Sequence, residues 1–403
     1  MRGKLTVLMV TAFVDMLGLI IVYPLLPFYA TRMGASAAMV GALVAAFSVA
    51  QLLSASAWGW MSDRYGRRPA ILVGLLVSAV AYVIFGFATS IWMLFISRII
   101  QGLGGGTIGV VQAYVADISA PEERAKSLGW LSAVTSLGAV IGPAIGSILV
   151  KFGGTTAPGI GSAVLCVMVS VFAWKFLAES RTHTQEMEAR SATGHSGTEA
   201  IRNVIAHPNQ PASRLIWIYA VAIGAFYGTT PLLPLVLADR LGVTAQNVGY
   251  FVMYLGFIGV VVRAGILGKM IAWLGEANLA RLGLLSLATG LATVSLIHSY
   301  AIMLVALTLM PVGTAFVFPC ITAMLSRVVS DKQRGLYMGV QHTFGGISRV
   351  SFPLLAGYGM DVLGNGVPFV FAGVMTFATL MLTTSMENYS QPPVRRVPAP
   401  AHP

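Results

Sequence analysis

The chain has 403 residues, 56% of them hydrophobic and only 10% charged, against roughly 25% charged residues in an ordinary soluble protein. Its net charge of +11 would raise nucleic acid as a partner for a soluble chain, but here the basic residues sit in short segments between long apolar stretches. The composition therefore excludes a nucleic-acid partner and a soluble domain, and makes the lipid bilayer the surroundings of most of the chain.

Twelve apolar stretches follow in order, near 5–30, 36–61, 69–88, 91–116, 126–150, 157–178, 214–238, 245–272, 278–297, 300–328, 335–359 and 366–386. A hydrocarbon core of about 30 Å takes about 20 apolar residues per helix. The stretches are read as helices, because a lone strand in lipid leaves its backbone polar groups unpaired. The fold class expected is an all-α membrane protein of twelve transmembrane helices in two six-helix halves. With the N-terminus inside, nineteen Lys and Arg fall in inner segments and only Arg32, Lys151 and Arg240 in outer loops. That bias places both termini in the cytoplasm of an inner-membrane protein.

The first span carries one acid, Asp15, and no other carboxylate lies deep in an apolar stretch. A buried carboxylate is costly and marks a functional site by default. One that gains and loses a proton is also the simplest part from which to build proton-driven transport. The run continues past Asp15 to Tyr29 without a cleavage pattern, so it reads as the first helix and not a signal peptide. Pro24-Leu25-Leu26-Pro27 closes it.

The loop after the second span runs Gly59-Trp60-Met61-Ser62-Asp63-Arg64-Tyr65-Gly66-Arg67-Arg68-Pro69. Gly66 permits a tight turn between antiparallel helices, and Pro69 suits the first turn of the next. Here the chain resembles the major facilitator superfamily, whose signature is this G-x-x-x-D-R-x-G-R-R-P loop. The resemblance covers essentially the whole chain. It implies a cytoplasmic gate formed by Gly59, Asp63, Arg64, Gly66, Arg67 and Arg68, with Asp63 reaching the start of the eleventh span near Gly335. The second half keeps only a remnant at 268–281, without the Asp.

The fourth span carries Arg98, Gln101, Gly102, Gly105, Gly109 and Gln112, spaced to share one face. Arg98 with Gln101-Gly102 is similar to the family's R-x-x-Q-G motif, which implies a part in proton transfer. In the loop that follows, Ser119 is a plausible N-cap, with Pro121, Glu122 and Glu123 in the first helical turn. The fifth span sets Gly138, Gly142 and Gly146 on one stripe with Pro143 inside it. Such a smooth bent face suits a surface that rocks against the other half. The stripe resembles the G-x-x-x-G-P-x-x-G pattern of the superfamily's antiporters, and its repeat in the eleventh span has decayed to Arg349-Val350-Ser351-Phe352-Pro353. The setting of Asp15, followed by Gly18 and the P-x-x-P close, is similar to the first helix of tetracycline/proton antiporters and multidrug exporters. Those exporters have further acids in helices 3 and 9 and a His in helix 8, which this chain lacks.

The halves repeat at a near-constant offset: Pro24 with Pro231, Gly59 with Gly268, Arg124 with Arg334, Pro143 with Pro353. Duplication of a six-helix unit divides the chain into residues 1–178, a polar linker 179–213 with one surface helix, 214–388, and a Pro-rich disordered tail 389–403. The halves then share topology about an axis along the membrane normal. His183, His195 and His207 in the linker lack the supporting ligands of a metal site, and Cys166 and Cys320 read as packing residues.

Arg263 and Arg349 are the remaining intramembrane charges. They can bind an anionic group of the substrate or make structural contacts, and three buried Arg against one Asp suit an anionic or zwitterionic substrate. The expected substrate lining is Tyr23, Gln101, Gln112, Phe226, Tyr227, Tyr254, Arg263, Gln341, Phe344 and Arg349, an aromatic wall fitted to amphiphilic molecules. The expectation is a monomeric drug/proton antiporter, with the proton as coupling ion and no cofactor or metal. The rivals are coupled uptake or facilitated exchange of a nutrient or siderophore, and a non-transporting receptor or intramembrane enzyme. No catalytic constellation or ATP-binding P-loop is present in the sequence.

Overall fold

The computed structural model describes residues 2–120, 123–179 and 197–390. The tail, His183, His195, Pro121 and Glu122 lie outside the described residues. The described residues are helical almost throughout, with no strand among them. In chain order the spans are α1 (Leu5–Arg32), α2 (Ala37–Tyr65), α3 (Arg67–Gly86), α4 (Ile91–Ile118), α5 (Lys126–Gly153), α6 (Ala157–Phe176) and α7 (Pro211–Leu241). A continuous helical stretch, Val248–Val294, reverses at Gly275 and so holds both α8 and α9. Then come α10 (Tyr300–Val328), α11 (Arg334–Leu363) and α12 (Val367–Thr383). Gln341, His342, Arg349 and nearby hydroxyls dilute α11, the least apolar of the twelve. The linker's surface helix is Gly197–Ala206, with Ala200 and Val204 on its buried face.

The duplication is written into the backbone as well as the sequence. α1 tightens into a 3-10 turn at Tyr23–Leu25, and α7 does so at Thr230–Leu232. Pro24 and Pro231 each remove a helical donor there. Gly66 (φ 100°, ψ 159°) turns the chain from α2 into α3, and Gly275 (φ 76°, ψ 163°) turns it from α8 into α9. Both angles lie in a region that favours glycine. Ser90 caps α4 and Ser299 caps α10 through the same backbone bond, 3.4 Å in each case. α3 crosses α4 where Gly74 and Gly104 meet, and α9 crosses α10 where Gly283 faces Gly313.

Most of the first half packs around Leu8, Trp58, Ile71, Leu75, Tyr114, Leu131 and Leu177 at the end that carries the N-terminus, here called the basic end. The glycine stripe of α5 corrects one expectation. It does not face the other half: Gly138, Gly142 and Gly146 seat on α1 of the same half, against Phe13 O, Leu17 O and Ile21 O. The neighbouring stripe of α5 makes the crossing instead. The Pro143 carbonyl fills the space where Gly249 of α8 would carry a Cβ. Beside it, Ser147 Oγ accepts from Gly249 N at 2.8 Å and donates to Ala245 O at 2.9 Å.

α11 repeats this arrangement, although Ser348, Phe352 and Ala356 stand where α5 has its glycine stripe. The Pro353 carbonyl occupies the Cβ position of Gly41 on α2. About two turns on, Asp361 accepts from Ala37 N and Ala38 N, both at 2.9 Å, placing a carboxylate on the positive N-terminus of α2. The smooth face is therefore not confined to the first half, because proline carbonyls and their glycine partners survive in both repeats. Ser119 is a second correction. Its N–H bonds to Val115 O and closes α4, while the next helix begins at Arg124 with Glu123 as N-cap.

By packing, the described residues form two compact units. One joins residues 1–194 to Tyr227–Gly256 and Arg349–Pro368, and so contains both of these crossings. The other holds the remainder of the second half.

Gly41→Ala and Gly249→Ala should each destabilise the purified protein by about 1–3 kcal/mol, the usual cost of overpacking, read as a lowered thermal midpoint in detergent. Gly59→Ala, where nothing lies within 4 Å of the new methyl, should be neutral or stabilising by up to about 1 kcal/mol through helix propensity. Asp361→Asn should admit a membrane-impermeant maleimide to a Tyr23→Cys label faster than the unmodified crossing does.

Candidate functional site

α1 is held in place by what its neighbours lack. Gly138 of α5 lets the Phe13 carbonyl approach, and Ser162 Oγ of α6 donates to Gly18 O at 3.3 Å. Gly18 itself lies under the Tyr82 ring of α3, whose Cε2 is 3.3 Å from where a Cβ would be. These contacts turn Asp15 into a cavity of about 610 Å³ within the first half. Gln51, Ser78, Tyr82, Gln101 and Gln112 supply most of the other polar lining, with Ser132 and Thr135. Gly109 opens onto space, which leaves room beside Gln112. Tyr82 and Cys166 stand within electrostatic reach of the Asp15 carboxyl.

Arg98 is sealed, at 2% exposure. Its guanidinium carbon lies 5.3 Å from the Phe85 ring centroid, and Tyr82 is its nearest titrating neighbour. Ser97 Oγ donates to Ala81 O at 2.9 Å and locks this part of α4 to α3. Nε and Nη2 of Arg98, and both amide atoms of buried Gln101, have no hydrogen-bond partner of good geometry among the described residues. Each such group costs about 1–3 kcal/mol if left dry, so Gln101, which borders the cavity, favours a polar occupant there. Tyr82 lines the cavity with Asp15 and Gln101 and lies within electrostatic reach of Arg98. Sequence reasoning missed it, since a tyrosine in an apolar span reads as packing until its hydroxyl is seen to meet a cavity.

The loop between α2 and α3 is organised by a residue that looked like part of the linker. Glu179 accepts from Arg67 N at 2.9 Å and Arg68 N at 3.1 Å, capping α3. Its carboxylate fills the space of a Cβ on Gly66. Buried Arg67 pairs with Asp63 at 2.9 Å and Asp117 at 3.2 Å, and donates to Ser62 Oγ at 2.8 Å. Arg68 donates to Trp174 O, and Arg64 lies 5.4 Å from the Trp60 ring centroid.

The corresponding corner of the second half carries the same bridge with its charges exchanged. Glu276 stands where Arg67 stands, Arg327 where Asp117 stands, and the two are paired. Glu276 is as deeply buried as Arg67, at 5% against 6%. Nearby, the Arg281 guanidinium holds the Glu387 carboxyl below the usual carboxylate range.

The expected substrate residues do not converge on one place. Asp15, Gln101 and Gln112 share the cavity. Tyr23, Tyr227 and Arg349 form a second group, with the Arg349 guanidinium 5.9 Å from the Tyr227 ring centroid. Gln341 is buried and donates to Thr322 Oγ1 at 3.3 Å, while Phe344 packs edge-on against Trp217. Phe226 is buried, Tyr254 half-buried, and Arg263 exposed within a π-helical turn, Val262–Ile266.

The family model described as Major Facilitator Superfamily matches residues 8–299 and 277–402. The chain belongs to the major facilitator superfamily. It is 30% identical to Multidrug resistance protein 2 of Bacillus subtilis (strain 168), over 94% of this chain and 93% of that protein. It is 25% identical to the class B tetracycline resistance protein of Escherichia coli, over 97% and 99%. A solved structure of a bacterial homologue of the human lysosomal transporter Spinster has the same fold at a TM-score of 0.76, with 13% identity and 96% of each chain covered. The protein is thus a multi-pass membrane transporter of this superfamily. Its relatives are transporters, not enzymes.

Glu276→Ala, which leaves the part-exposed Arg327 charge with its bridge removed, should cost this transporter about 1–3 kcal/mol. The double exchange Glu276→Arg with Arg327→Asp recreates the first-half polarity and should recover most of that loss, measured as the thermal midpoint of the purified protein.

Proposed function

We propose that this transporter exports a small amphiphilic compound from a bacterial cytoplasm in exchange for protons. The observation that supports it most is Asp15, the one carboxylate deep in the spans, facing a polar cavity beside Tyr82, Gln101 and Gln112. Relatives over nearly the full chain are a multidrug resistance protein and a tetracycline resistance protein, which favours export of a drug-like molecule. The acids and histidine of the tetracycline exporters that this chain lacks argue for a substrate other than tetracycline.

In this reading the basic end is cytoplasmic, and both termini lie there, in the inner membrane. The transporter works as a monomer, with the proton as coupling ion and no cofactor. Asp15 takes a proton from outside. The loaded carrier turns inward, and substrate binding with proton release resets it. Arg98 and Tyr82 carry or orient the proton on its way to Asp15. Rocking of the two halves moves the site across. Asp63 latches the cytoplasmic side by reaching the N-terminus of α11 near Gly335, as a carboxylate favours a helix start. The wall for the substrate comes from Tyr23, Tyr227, Tyr254 and the cavity's glutamines.

Everted vesicles energised acid-inside should accumulate a fluorescent zwitterionic amphiphile, such as a carboxylate-bearing fluoroquinolone, when they carry the wild-type protein. Asp15→Asn should abolish this accumulation at normal membrane levels, and Asp15→Glu should retain part of it. Undiminished acid-driven accumulation in Asp15→Asn would remove the proton role. Accumulation only under the opposite gradient would favour coupled uptake.

A further inference from the structure

The three arginines in the apolar spans have unlike settings. Arg98 is enclosed beneath Phe85, and Arg263 is exposed in its π-helical turn. Arg349 is half-buried on α11 with its guanidinium against the face of Tyr227, and Tyr23 stands within electrostatic reach of both. Its Nε is buried without a hydrogen bond, and among the described residues no ion pair to Arg349 is formed. A cation at this depth costs more than one aromatic face returns. The charge is thus placed where an anion would complete it.

The surroundings are rigid. Gly228 of α7 lies directly on Phe352 of α11, its absent Cβ replaced by that side chain. The residues next to this contact along each helix are Tyr227 and Ser351, with Arg349 one turn away. Tyr23 opens the 3-10 turn Tyr23–Leu25 of α1. The Gly41–Pro353 crossing holds the far edge. The Tyr227 ring and the Arg349 guanidinium are therefore set beside each other through the Gly228–Phe352 contact, with Tyr23 within electrostatic reach of both. None of the three residues lines the Asp15 cavity.

We propose that Arg349, Tyr227 and Tyr23 form a binding site for the acidic group of an amphiphilic substrate, a carboxylate or sulfonate borne on an aromatic body. The guanidinium and phenol O–H groups donate to the oxyanion. The ring of Tyr227 stacks on the attached aromatic body. The proposal deepens the export reading by naming the substrate class, and it rests on that reading only for the direction of transport.

The test is equilibrium binding of two matched probes to the purified protein in detergent, 1-naphthalenesulfonate and the neutral 1-naphthalenesulfonamide. The wild type should bind the sulfonate roughly tenfold more tightly, as a charge-assisted contact predicts. Added methanesulfonate should compete with the sulfonate alone. Arg349→Gln should erase the preference while leaving the sulfonamide affinity unchanged, and Arg349→Lys should keep part of it. Equal binding of both probes, binding of neither, or a preference that survives Arg349→Gln overturns the site. So does equal loss of both probes in a folded Arg349→Gln, which would mark the residue as structural. Should Arg349→Gln not fold, the methanesulfonate competition in the wild type decides alone. Asp15→Asn should keep the probe preference. A failure of acid-driven export in that variant therefore bears on coupling and not on this site.

Discussion

Helices in lipid gain nothing from hiding apolar surface from one another, because the tails outside are equally apolar. What joins them is close approach, and that requires one partner to give up its side chain. Gly249 on the Pro143 carbonyl and Gly41 on the Pro353 carbonyl are where this chain meets the condition across its two sequence halves. Everything of functional interest is measured from these fixed points. The α1–α5 contact through Gly138, Gly142 and Gly146 aims Asp15 into its cavity. The Gly228–Phe352 contact sets Tyr227 beside Arg349.

On that frame, charge is used sparingly. Pairs near the ends of the spans are satisfied several times over, as Arg67 is by Asp63, Asp117 and Ser62. Deeper in, Arg98 is left with ring faces and unmatched nitrogens. The contrast separates structural ions from those poised for chemistry. A bridge with every donor matched holds a corner together. A lone ion beside a cavity changes the stability of the molecule whenever something binds or a proton moves.

The architecture was legible because the bilayer imposes it: span length, basic loops and the near-constant repeat offset each follow from the medium or from duplication. Asp15 was legible for the same reason, as an acid out of place. The direction of a glycine stripe was not. Gly138, Gly142 and Gly146 share one face of α5 whichever neighbour they meet, and spacing along one helix carries no information about its partner. Glu179 was hidden by its position in a polar, charged segment, where a capping carboxylate looks like any other. Tyr82 was hidden by its hydrophobic body. Gln341 and Phe344 promised a lining, but their partners Thr322 and Trp217 become visible only in three dimensions.

The exchanged bridges bear on how such a chain assembles. Two nearly equivalent six-helix units emerge from the ribosome in succession, and each offers the other plausible but incorrect neighbours. Had the corners stayed identical, α3 could accept α10 in place of α4 with its ion pair intact. With Arg67–Asp117 in one unit and Glu276–Arg327 in the other, that mistake sets Arg67 against Arg327, and the reciprocal one sets Asp117 against Glu276. Both errors bring like charges together near the ends of the spans, so the exchanged polarity disfavours the wrong pairing of halves.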